Sequence, residues 1–105
     1  GRLDAALDAA QEGLRYFRAQ EDPGGEGRAL AVLGDVYDRM GRHDDAIRSI
    51  EASLPPLRRV EERFVLAANL AMLGRILAAQ KRLPEALRRY DEAIEVFLRY
   101  LRARP

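Results

Sequence analysis

The chain repeats itself. When each residue is set against the one 40 positions further on, about 15 of 65 pairs are identical, where composition alone predicts roughly six or seven. The matches cluster. Gly1-Arg2-x-Asp4-x-Ala6 returns as Gly41-Arg42-x-Asp44-x-Ala46, and Leu30-Ala31-x-Leu33-Gly34 returns as Leu70-Ala71-x-Leu73-Gly74. Arg42, Ala46 and Arg48 then meet Arg82, Ala86 and Arg88, so the chain holds about two and a half copies of one unit.

Apolar periodicity within the unit is helical throughout, and no stretch alternates like a strand. The first helix is expected from about Leu3 to Ala19, closed by the segment Gln20 to Gly25 with its Pro23-Gly24-Gly25. A second spans about Glu26 to Met40 and stops at Gly41, a residue suited to the left-handed conformation that closes helices. The third starts near His43, with Asp44 and Asp45 on the positive end of its dipole, and is expected to bend or break at Pro55-Pro56. A fourth runs from about Glu61 to Ala79, and a fifth opens at Pro84, tolerated in a first turn, and reaches about Arg102. The expected fold class is all-α: five helices in antiparallel pairs.

Composition narrows the function. With 105 residues the chain is one domain or a fragment of one, and a net charge of +1 supplies no sequence-wide field for nucleic acid. No apolar run approaches a membrane span, and the absence of cysteine removes disulfides and thiolate metal sites. The start, Gly1-Arg2-Leu3-Asp4, lacks the basic and apolar regions of a signal peptide and lacks an initiator Met. A cytoplasmic location, and excision from a longer protein, are the expectations. Arg far exceeds Lys and Ala is abundant, which points to a GC-rich bacterial genome.

Leu30-x2-Leu33-Gly34-x2-Tyr37 followed by Ala46-x3-Ile50 resembles the tetratricopeptide repeat, whose signature runs W-x2-L-G-x2-Y and then A-x3-F. A second copy reads Leu70-x2-Leu73-Gly74-x2-Leu77 and then Ala86-x3-Tyr90. The period is 40 where the common form has 34, the leading aromatic is Leu, and the closing proline is misplaced at Pro55-Pro56 or missing. Long-period members of the family share that spacing. HEAT-like helix pairs fall in the same range but lack the paired Leu-Gly and Ala signature.

The resemblance implies a right-handed superhelix. Residues 1–25 would form the second half of a truncated repeat, and 26–60 and 61–105 two full ones. Gly34 and Gly74, facing Ala46 and Ala86, would sit where each pair crosses most closely, and that packing explains a glycine in mid-helix at a propensity cost of about 1 kcal/mol. The first helix of each pair would line a concave groove that takes a peptide or partner protein. Matching positions are Arg28, Ala31, Asp35, Asp38 and Arg39, then Ala68, Ala71, Arg75 and Ala78. Members that clamp chaperone tails use several Lys and Asn residues; this chain has only Lys81 and Asn69, so that partner is not expected.

Nothing in the pattern points to an enzyme. The only histidine, His43, falls in a turn where the family has a packing residue. Phosphate loops, paired metal ligands and nucleophile–base pairs are all missing, and no cofactor is implied. Arg58-Arg59, Arg88-Arg89 and the stretch Arg99 to Arg104 are offset by Glu61, Glu62, Asp91, Glu92 and Glu95, which makes them solvated faces and not a phosphate footprint.

The ends suggest a second role. The stripe of Leu3, Leu7, Leu14 and Phe17 on the first helix has one natural partner, and the stripe of Leu87, Tyr90, Ile94, Phe97, Leu98, Tyr100 and Leu101 on the last is more apolar surface than one neighbour covers; Phe97, Leu98 and Leu101 are the candidates for self-association there. Repeat arrays need polar caps, and here there are none. Further repeats would cover these stripes, or two chains would pair through them in a scaffold or homodimer.

Overall fold

The computed structural model describes residues 1–105. Five helices follow one another: α1 (Arg2–Ala19), α2 (Pro23–Arg39), α3 (His43–Arg59), α4 (Arg63–Ala79) and α5 (Leu83–Ala103). Each helix packs on the next, most extensively α2 on α3 and α4 on α5, and α2 also touches α4. The result is a slab of 42 × 37 × 18 Å, an α-solenoid made of stacked helix pairs.

Four three-residue turns set this regularity. Their central residues, Glu21, Gly41, Glu61 and Lys81, all lie at positive φ, from 51° to 80°. In each turn the following amide bonds the carbonyl five residues back: Asp22 to Phe17, Arg42 to Tyr37, Glu62 to Leu57 and Arg82 to Leu77, at 2.8 to 3.1 Å. This is the Schellman closure of a helix, used four times at an interval of twenty residues. The 40-residue sequence repeat is therefore two identical helix–turn units.

Two expectations at helix ends are corrected. Pro23-Gly24-Gly25 does not close α1; it is the first turn of α2. Asp22 caps that helix by accepting the Gly25 amide at 3.0 Å, and Pro23 fills a position whose N–H would have no partner. Neighbouring side chains occupy the space beside the glycines: the Phe17 ring lies where a Gly25 Cβ would point, and Leu57 where a Gly27 Cβ would point. Nor does α3 break at Pro55-Pro56. The two carbonyls that lose their amide partners belong to Glu51 and Ala52, both exposed residues, while Pro56, Leu54 and Leu57 are buried and hold the turn in place.

The larger core joins α3, α4 and α5 around Ile50, Leu57, Leu70, Leu73 and Ile76, all fully buried. A smaller one joins α1 to α2 through Ala10, Leu14, Leu30 and Leu33. Leu14, expected on a self-association stripe, is thus interior: α2 covers it. The repeat signature lies inside as well, with Leu33, Ala46, Leu73, Leu77 and Ala86 buried and Tyr37 packed against both cores. A Cβ on Gly34 would stand 2.5 Å from Ile50 Cγ1 and 3.3 Å from the Ala46 carbonyl; at Gly74 it would meet the Tyr90 ring at 3.0 Å.

Between the two repeats sits one buried polar group. Asn69 of α4 donates to Ser53 Oγ of α3 at 2.9 Å and to the Gly27 carbonyl of α2 at 3.3 Å. Placed in an otherwise apolar junction, these bonds tie α4 to both helices of the preceding pair in one register.

Candidate interaction surfaces

The charges expected to line a groove are engaged within the domain. Arg39 donates to Asp35 at 3.1 Å, one turn away on α2. Arg75 of α4 reaches across to Asp38 of α2 at 3.6 Å, and the other oxygen of Asp38 lies 2.9 Å from His43 Nδ1. Arg28 stands 3.9 Å from Glu62. All of these guanidinium groups are at least half exposed, so each pair contributes at most about 1 kcal/mol. His43 sits at the start of α3 and links it back to α2.

The alanines of the same set separate. Ala31 is buried and Ala78 half-buried. Ala68 and Ala71, which share a stripe of α4 with Arg75, floor a depression of about 310 Å³ between α4 and α5. Its α4 wall is Phe64, Ala67, Ala68 and Ala71, and its α5 wall is Tyr90, Ala93, Ile94 and Phe97. Every lining residue is hydrophobic. Phe64, Phe97 and Tyr100 cluster at one end, with ring centroids 5.5 to 6.4 Å apart.

The 40-residue repeat shows what kind of surface this is. The eight lining positions correspond to Gly24, Gly27, Arg28, Ala31, Ile50, Ser53, Leu54 and Leu57 in the preceding pair. There, all but Arg28 are buried in the junction that α4 closes. The depression between α4 and α5 is thus the same seat, one repeat further along, without a helix in it. Three substitutions change its chemistry. Where the inner seat offers the Ser53 hydroxyl to Asn69, the outer one has Ala93; where the inner one has Arg28, the outer has Ala68; and where the inner one has Gly24, the outer has Phe64.

Beside the seat runs a leucine-rich stripe of α5. Leu83, Leu87, Ile94, Leu98 and Leu101 are between 43% and 62% exposed and fall within about 60° of the helix circumference. Ile47 and Leu54, the counterparts of Leu87 and Ile94 on α3, are buried. Sequence reasoning found this stripe apart from Leu83, but not the cavity beside it, because the cavity needs α4.

The opposite end has a matching but weaker feature. Ala6, Ala9, Ala10, Gly13 and Phe17 of α1, with Arg28, Ala29 and Val32 of α2, line a depression of about 420 Å³. Phe17 is half-buried over Gly25, Leu7 is half-buried, and Leu3 is exposed. No group of three or more His, Asp or Glu is placed to hold a metal ion, and no helix is long and apolar enough to cross a membrane.

Helix pairs closed by identical turns, each pair seating the first helix of the next, define an α-solenoid of the tetratricopeptide-like class. Within it, residues 29–62, which run from α2 through α3 to the turn before α4, match the tetratricopeptide repeat family model. The match covers one repeat, about a third of the chain, and the five-helix fold around it is tetratricopeptide-like. Repeats of this class are generally non-catalytic modules for protein interaction. No curated protein and no solved structure matches the chain.

Proposed function

We propose that the chain acts as a protein-interaction module and that its docking surface is the apolar seat between α4 and α5, not the charged face carried by α2 and α4. One observation supports this reading above the others: the seat occupies, position for position, the place in the repeat of the surface that α4 already covers on α2 and α3. A surface of that shape accepts an amphipathic helix. The charged face is less suited, because Arg28, Arg39 and Arg75 each face an acidic neighbour inside the domain and would have to exchange it for a ligand.

A peptide of residues 62–80 carrying Asn69→Leu tests the reading. It presents the face of α4 with the Asn69 amide, whose Ser53 partner is replaced by Ala93 in the outer seat, made apolar. Saturable binding to the protein at submicromolar concentration is expected, weakened at least about tenfold by Ala68→Glu in the protein and unchanged by Arg39→Ala. Binding that ignores Ala68→Glu, or follows Arg39→Ala, contradicts the reading.

A further inference from the structure

We infer that the occupant of the α4–α5 seat is a second copy of this chain, joined through a two-fold axis on α5; the inference rests on the reading of that seat as the docking surface.

The surface has the size a dimer needs. Phe64, Leu87, Ile94, Phe97, Leu98 and Leu101 are each 40% to 62% exposed. Together they leave roughly 600 Å² of apolar area per chain uncovered, at the upper limit for the largest patch on a monomer and close to the about 800 Å² each partner gives to a stable interface.

The surface is also complementary to itself. It carries a hollow and, directly beside it on the same helix, a ridge that protrudes, which is the arrangement an isologous interface requires. The ridge has internal symmetry too: Leu87 and Leu101 each lie seven residues, two helical turns, from Ile94. When two α5 helices run antiparallel about an axis at Ile94, Leu87 of each chain meets Leu101 of the other. The seat lining carries no charged residue to select a charged partner. The opposite end, where Phe17, Arg28 and Val32 join the alanines and Gly13, has a charged residue in its lining.

Mass in solution tests this. The protein should sediment as a dimer of the 11.8 kDa chain at about 50 µM and dissociate on dilution. Ile94→Arg places two like charges at the axis, so it should weaken association at least about 100-fold while far-UV helicity stays unchanged, since Ile94 is exposed. Because the chain has no cysteine, Ile94→Cys introduces a single thiol that should cross-link the dimer on mild oxidation, whereas Leu3→Cys, at the other end, should not. A protein that is monomeric at about 50 µM overturns the inference, as does a dimer indifferent to Ile94→Arg. If the monomer still binds the residue 62–80 peptide in an Ala68-dependent way, only the identity of the occupant falls; if it does not, the docking surface falls too.

Discussion

Gly34 occupies the middle of α2 because α3 leaves no room for a side chain there, and Gly13, in the middle of α1, has nothing within 4 Å of the position its Cβ would take. The two glycines therefore respond oppositely to substitution. Gly13→Ala should stabilise the protein by about 0.5 to 1 kcal/mol, the ordinary gain in helix propensity. Gly34→Leu drives four carbons into Ile50 and the Ala46 backbone, and should cost at least about 3 kcal/mol, a fall in Tm of more than about 10 °C. Thermal melts of the two variants check this pair, and an unchanged Tm for Gly34→Leu contradicts the packing described for α2 and α3.

Also at this scale, hydrogen bonds from Arg48 and then Arg42 hold the Asp45 carboxyl below its ordinary range, and Arg82 does the same for Glu85. A carboxylate depressed in the folded state stabilises at pH above its unfolded value of about 4, and that contribution is lost as pH falls through the folded value. The variant with Asp45→Asn and Glu85→Gln should thus lose less Tm than the parent between about pH 5 and pH 2.5. An equal or steeper loss contradicts the assignment.

The element scale is governed by the turns. Three of the four left-handed positions hold Glu21, Glu61 or Lys81, where an L side chain costs about 1 kcal/mol or more, and only Gly41 is free of that strain. Lys81→Gly should raise stability by about 0.5 to 1 kcal/mol, and Gly41→Ala should lower it by about 1 kcal/mol, both measured by denaturant midpoint. The same turns explain what the sequence showed and what it hid. Apolar spacing located all five helices, and Gly41 marked its own turn. Glu21, Glu61 and Lys81 carried no such mark, because tertiary packing and not residue preference holds them at positive φ. Pro23-Gly24-Gly25 read as a terminator since proline and glycine break helices in isolation; beside Asp22 the same residues begin one, and Phe17 and Leu57 then require the glycines. Pro55-Pro56 misled for the related reason that burial of Leu54 and Leu57 overrides the loss of two hydrogen bonds.

For the whole molecule, the repeat is what makes the binding surface readable. Ala68 and Ala71 drew notice in the sequence as small residues on the first helix of a pair, but spacing along one helix says nothing of which neighbour flanks it. Only the stacking of α4 on α5 brings those alanines against Ala93, Ile94 and Phe97, and only the inner junction relates their positions to a surface that a helix covers. Asn69 offered no signal beyond being the single asparagine, yet it distinguishes the inner seat from the outer one. Of the charged positions, Arg39 and Asp35 stand one turn apart on α2, a spacing at which a pair is legible, whereas Arg28 with Glu62 and Arg75 with Asp38 pair across the stack and are not.

The central claim is that the α4–α5 seat, and not the charged face, is where a partner helix docks. The most direct test is a map of amide and methyl chemical shifts during titration with the Asn69→Leu peptide of residues 62–80. The account predicts that Ala67, Ala68, Ala71, Ala93 and Ile94 move together and saturate with the peptide. Shifts confined to Arg28, Asp35, Arg39 and Arg75, with the seat unmoved, would contradict it.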